Sequence, residues 1–136
     1  MPRFTVSHAI NAKREDVFAA FSDYARYPEL APDYFESVRT RSSRDSVSVT
    51  EERIRIGGRS MLITAKHVVR DWLHGIYFVG GDAKGSSIEM SFSERGGMTQ
   101  IEMSVNLKIM MLRSGAARRD CLRALQLLSG QSSFSL

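Results

Sequence analysis

Between residues 34 and 110 the chain offers six strand-length segments in succession, with helical sequence only before and after them. The segments are 34–42, 46–56, 59–70, 73–79, 86–94 and 99–110. Their separators, SSRD, IGGR, RDW, GGDAKG and ERGGM, are turn chemistry, which suits antiparallel hairpins. Alternation is clearest late in the chain. Ile88, Met90 and Phe92 point one way, as do Ile101, Met103, Val105, Leu107 and Ile109, and the residues between them are polar. One face of such a sheet is wet and the other covered. In 46–56 the pattern slips: Val47 and Val49 are apolar at odd positions, Ile54 and Ile56 at even ones. A bulge near Glu51-Glu52-Arg53 reconciles them, and so does a strand packed on both faces.

A further strand opens the chain. In RFTVSHAI, Phe4, Val6, His8 and Ile10 share a face. Asn11 is placed to cap a helix over 13–22, where Val17, Phe18 and Phe21 fall at helical spacing. Asp23 is placed to cap a restarted turn, YARYPEL, which Pro28 and Pro32 keep short. The last helix, 113–128, has Ala117, Cys121, Ala124, Leu125 and Leu128 on one side and Arg118, Arg119 and Arg123 on the other. At about 1.5 Å per residue it is roughly 24 Å long, a match for strands of about seven or eight residues.

Composition narrows the class. The 136 residues suit one domain, and 43% hydrophobic residues supply a core. No window of about 18 uncharged apolar residues is present to span a membrane, and MPRFTVSHAI lacks the apolar block of a secretory signal. A lone cysteine, Cys121, excludes an internal disulfide and fits a reducing cytoplasm. With three scattered histidines it also argues against a structural zinc site. The formal charge of +4 permits anionic partners without requiring them.

The order of elements, together with DVFAAFSDYARYPELAPDYFESV directly after the first strand, resembles the SRPBCC superfamily of START-type, polyketide cyclase and coenzyme Q-binding proteins. The pattern is Val17-Phe18, Asp23-Tyr24, Tyr27-Pro28, Pro32 and Val38, and the likeness spans 3–128. It implies an α+β helix-grip fold: a seven-stranded antiparallel curved sheet wrapped around a long C-terminal helix, with two short helices between strands 1 and 2. One domain then covers 1–128, and 129–136, rich in serine, forms a flexible tail. The broken helical pair plugs the open end of the sheet, with Tyr24, Tyr27 and Leu30 at the mouth of a cavity. Small side chains on the last helix leave space there, which Met61, Met90 and Met103 either fill or line as an adaptable wall. The expected ligand contacts are Val6, His8, Tyr27, Met61, Ile63 and His67. Met90, Phe92, Met103 and Val105 add to them from later strands, and Ala117, Cys121 and Ala124 from the last helix.

His8 and His67 are the candidates for chemistry, as each sits on an apolar face and titrates near neutrality. Each also reads as a strand histidine satisfied by a neighbouring side chain or backbone group, the commoner case. His74, beside Trp72 and a turn, reads as a surface residue. Glu51, Glu52 and Arg53 read as cross-strand pairs on the solvated face, the alternative being a cavity-facing Glu–Arg pair that orients a polar head group. IGGR and VGGDAKG join strands and do not open a helix, so they are not phosphate loops. Arg113, Arg118, Arg119 and Arg123 form a basic face suited to weak contact with anionic membrane or ribosome; DNA is not an expected partner. The favoured reading is a carrier of one lipid, quinone or polyketide-like ligand, without cofactor or metal. The rival is a polyketide cyclase/dehydrase using a cavity histidine.

Overall fold

The computed structural model describes residues 2–130. Strand β1 (Arg3–Ile10) leads into helix α1 (Arg14–Ser22), a 3-10 turn (Tyr24–Arg26) and helix α2 (Tyr27–Leu30). Six strands follow: β2 (Phe35–Arg44), β3 (Val47–Ile56), β4 (Arg59–Arg70), β5 (Leu73–Gly81), β6 (Ser87–Arg95) and β7 (Met98–Asn106). Helix α3 (Ser114–Leu128) completes the order. All pairings are antiparallel and the sheet runs β1-β7-β6-β5-β4-β3-β2. This is the helix-grip arrangement. β1 and β2 are the two sheet edges, and the chain from Arg14 to Leu30 runs between them as the expected wedge.

Tight turns set the register. Gly57 and Gly58 have φ of 59° and 80°, so the β3–β4 hairpin is a two-residue turn with both residues left-handed. A Cβ on Gly57 would lie 2.3 Å from Leu112 Cδ1. Gly57→Ala therefore combines left-handed strain with a clash, and is expected to cost about 2 kcal/mol. A thermal melt should show its midpoint falling by about 5–10 °C. At the β4–β5 turn two bulky residues do what glycine does elsewhere: Asp71 and Trp72 have φ of 53° and 62°. Trp72 is held there by Arg14, whose guanidinium lies 4.0 Å from the ring centroid, and by Phe18, edge-on at 5.2 Å. Phe18 and Phe21 also meet Phe92 edge-on. The wedge is thus clamped to the sheet by aromatic contacts.

Four expectations change. The β3 strand has no bulge against β4: its even residues, Ser48, Thr50, Glu52, Ile54 and Ile56, are all buried. The apparent slip arose because polar residues occupy half of the inner face; the irregularities lie in β2 and at Thr64/Ala65 instead. Asn11 and Asp23 make no side-chain caps, as α1 starts after Lys13 and Arg26 N–H bonds the Asp23 carbonyl. β7 ends at Asn106, although Leu107 and Ile109 remain buried. Ser129 does not begin a free tail: it is buried, its N–H bonds the Leu125 carbonyl and its hydroxyl the Gln126 carbonyl. Residues 131–136 of the expected tail lie outside the described residues. Among the described residues, no helix is long and apolar enough to cross a membrane.

Candidate ligand cavity and its buried polar chain

α3 turns Ala117, Cys121, Leu125 and Leu128 toward the sheet. It is tied to the β3–β4 turn by Asp120, whose Oδ2 accepts the Gly57 N–H at 2.7 Å. Between helix and sheet lies an apolar slot. Ile54, Ile63, Ile76, Phe78, Met90 and Met103 form its sheet wall, Cys121, Ala124 and Leu128 its helix wall, and Tyr27, Tyr34 and Phe35 its wedge end. Its cavity volume is about 60 Å³. The close-packed state is therefore narrower than the cavity of about 150 Å³ that admits benzene. The methionines are the side chains best able to rotate and widen it.

Six of the residues expected to meet a ligand lie on this wall: Tyr27, Ile63, Met90, Met103, Cys121 and Ala124. Val6, Met61, Phe92, Val105 and Ala117 are buried in the core but do not line the slot. His8 is half-buried on edge strand β1, opposite Ile101, and does not line it either. Burial lowers the His8 pKa. Tyr27 lies at the wedge end as expected, with its hydroxyl donating to the Phe21 carbonyl; burial and the nearby Glu52 charge push its pKa well up. Leu30 is half-buried away from the wall, and Tyr24 stacks on His67 instead, with centroids 4.2 Å apart. The Cys121 thiol is pushed up to about 12, by burial first and by Asp120 second, which leaves it an inert packing group.

The chemistry lies where composition gave little warning. Glu52, expected on the solvated face, is 2% exposed and lines the slot. His74, expected at the surface, is fully buried, as is His67. The three form a chain across β3, β4 and β5: His67 Nε2 lies 2.6 Å from Glu52 Oε2, and His67 Nδ1 lies 2.8 Å from His74 Nε2. Thr50 Oγ1 donates to the same Glu52 oxygen at 2.6 Å. Burial lowers His74 to about 3, helped by the neighbouring His67 and opposed by the Phe21 carbonyl. His74 is therefore a neutral ring. Its Nδ1 lacks a well-aligned hydrogen bond, although the Phe21 carbonyl still favours the protonated form. Glu51 and Arg53 stay on the outer face as expected, where Glu51 pairs with Arg39 and Arg41, and Arg53 with Glu36. His67 is thus a cavity residue only at second hand, through Glu52.

A family model described as polyketide cyclase/dehydrase and lipid transport matches residues 1–126. The chain belongs to this family. The polyketide cyclase/dehydrase and lipid transport fold is also found in solved structures that match it along nearly their whole length. The Zhui aromatase/cyclase of Streptomyces sp. R1128 superposes with a TM-score of 0.79 at 12% identity, over 96% of this chain and 93% of that one. A START superfamily protein of Mycobacterium smegmatis gives 0.74 at 16% identity, over 96% and 97%. The ginseng major latex-like protein 151 of Panax ginseng gives 0.75 at 12%, over 98% and 97%. At these identities the likeness is one of fold. No curated protein matches it in sequence. Membership in a family described as polyketide cyclase/dehydrase and lipid transport supports a ligand-binding fold.

Proposed function

We propose that the protein binds one small hydrophobic ligand, of the lipid, quinone or polyketide-like kind, in the slot between the sheet and α3. The observation carrying this is the slot's wall: aliphatic and thioether side chains face small ones on α3. Apolar burial at about 25 cal/mol per Å² supplies the affinity, and rotation of Met90 and Met103 supplies the volume. Ala124→Leu fills the slot from the helix side. It is expected to weaken binding of N-phenyl-1-naphthylamine at least about tenfold while raising stability by about 0.5–2 kcal/mol. Fluorescence titration and urea unfolding read the two effects. A wild-type protein that neither co-purifies with apolar mass nor binds this probe defeats the proposal.

A cyclase/dehydrase role is the second reading, favoured by one observation: the Glu52 carboxylate on the slot wall is backed by His67, an arrangement able to accept a proton. Glu52→Gln separates the readings. A carrier keeps ligand binding within a few-fold, whereas an enzyme loses turnover by about 10²–10⁴.

A further inference from the structure

Both hydrogen bonds to Glu52 end on the same oxygen. Thr50 and His67 meet Oε2, and among the described residues Oε1 has no hydrogen-bond partner. The side chain is 3% exposed and belongs to the slot wall. Oε1 is not sealed off: it keeps contact with the space of the slot and takes its donor from what occupies it. Ile54, Ile63 and Met90 have no donor to give, and the Tyr27 hydroxyl is committed to the Phe21 carbonyl; Tyr34 and Arg55 also line the slot but make no hydrogen bond to Oε1. In the folded protein Oε1 is thus left to a donor from the slot, either water or the group that displaces it.

We propose that the slot selects hydrophobic molecules bearing a hydroxyl, phenolic or alcoholic, whose O–H donates to Glu52 Oε1. The inference rests on the binding role above and narrows its ligand class. An acceptor-only group, such as a quinone carbonyl or an ether, sets lone pair against lone pair at this oxygen. An ammonium brings three donors to a largely apolar wall, and the hydrogens that Glu52 does not meet go unsatisfied. A hydroxyl brings one donor to one acceptor. Water resting at Oε1 is replaced bond for bond by a hydroxyl, but without compensation by an ether. His67 and Thr50, fixed on Oε2, hold the carboxylate so that Oε1 keeps its direction.

The experiment compares 4-ethylphenol with 4-ethylanisole, which has the same ring and chain with the hydroxyl hydrogen replaced by methyl. Titration calorimetry of the wild-type protein is expected to show the phenol binding at least about tenfold tighter. This runs against simple apolar transfer, which favours the ether. In Glu52→Met, which keeps the side chain's length and removes both oxygens, the two ligands are expected to bind within about threefold. Circular dichroism confirms that the variant is folded, and the wild-type comparison stands without it. Equal or tighter binding of the ether by wild type overturns the hydroxyl preference and leaves the carrier role intact. A phenol preference that survives in Glu52→Met overturns the assignment to Glu52. If wild type binds neither ligand nor N-phenyl-1-naphthylamine, the carrier role falls and the inference with it.

Discussion

His67→Leu is expected to lower the free energy of unfolding by about 3–5 kcal/mol, measured by urea denaturation at pH 7. His67 is fully buried and is the link through which Glu52 and His74 are satisfied. Leucine nearly matches its volume, so the loss is not one of packing. It leaves Glu52 buried in an apolar wall with only the Thr50 hydroxyl, and His74 Nε2 with no partner. Removing one member of a buried polar pair is far costlier than removing both. The double variant Glu52→Leu/His67→Leu is accordingly expected to be more stable than His67→Leu. A single variant costing under about 1 kcal/mol, or a double variant for which the two costs simply add, shows that the pair is not coupled in the folded protein.

The same chain marks the boundary of what could be read without coordinates. The strands were legible to within a few residues, because hairpin separators and alternation act locally. The wedge was legible from its breaks at Asp23 and Pro28. The polar row was not, because parity was followed through hydrophobic residues alone. Val47 and Val49, which suggested a slip in β3, are only half-buried, on the outward face. Ser48, Thr50 and Glu52 hold the inner positions in phase with Ile54 and Ile56. His74 is in phase with Ile76 and Phe78, which was a usable signal that its place beside a turn obscured. His67 shares its face with Ile63, Ala65 and Val69, as their alternation predicts. What no single strand reveals is that Glu52, His67 and His74 are brought together across three strands. The covering is equally non-local: Tyr24 stacks on His67, and the Phe21 carbonyl reaches His74. The wedge therefore does more than close the end of the sheet, as it shields a polar row that would otherwise be hydrated.

That shielding gives the protein a defined acid sensitivity. The His74 pKa is near 3 in the folded state and near 6.5 when exposed, its burial being the main cause. Between those values the unfolded ring binds a proton that the folded ring refuses, so the unfolded state gains as pH falls. Stability is thus fully present above about pH 6.5 and declines below it by about 1 kcal/mol per pH unit, down to the folded value. The groups facing His74 are His67, in hydrogen-bond contact, the tilted Tyr24 ring at 6.4 Å and the Phe21 carbonyl. None of these supplies a carboxylate in direct contact to hold the proton in the fold. His74→Gln keeps a hydrogen-bonding group opposite His67 but cannot titrate. At pH 7 it is expected to be less stable than wild type, as an imperfect replacement. Between pH 6.5 and 4 its unfolding free energy, from urea titrations, is expected to fall more gently, so that the two curves converge. Surface carboxylates that protonate in this range are common to both proteins and cancel in the difference. Parallel curves across that interval would mean that the folded protein accepts the proton at little cost, and that the wedge does not seal His74 from water.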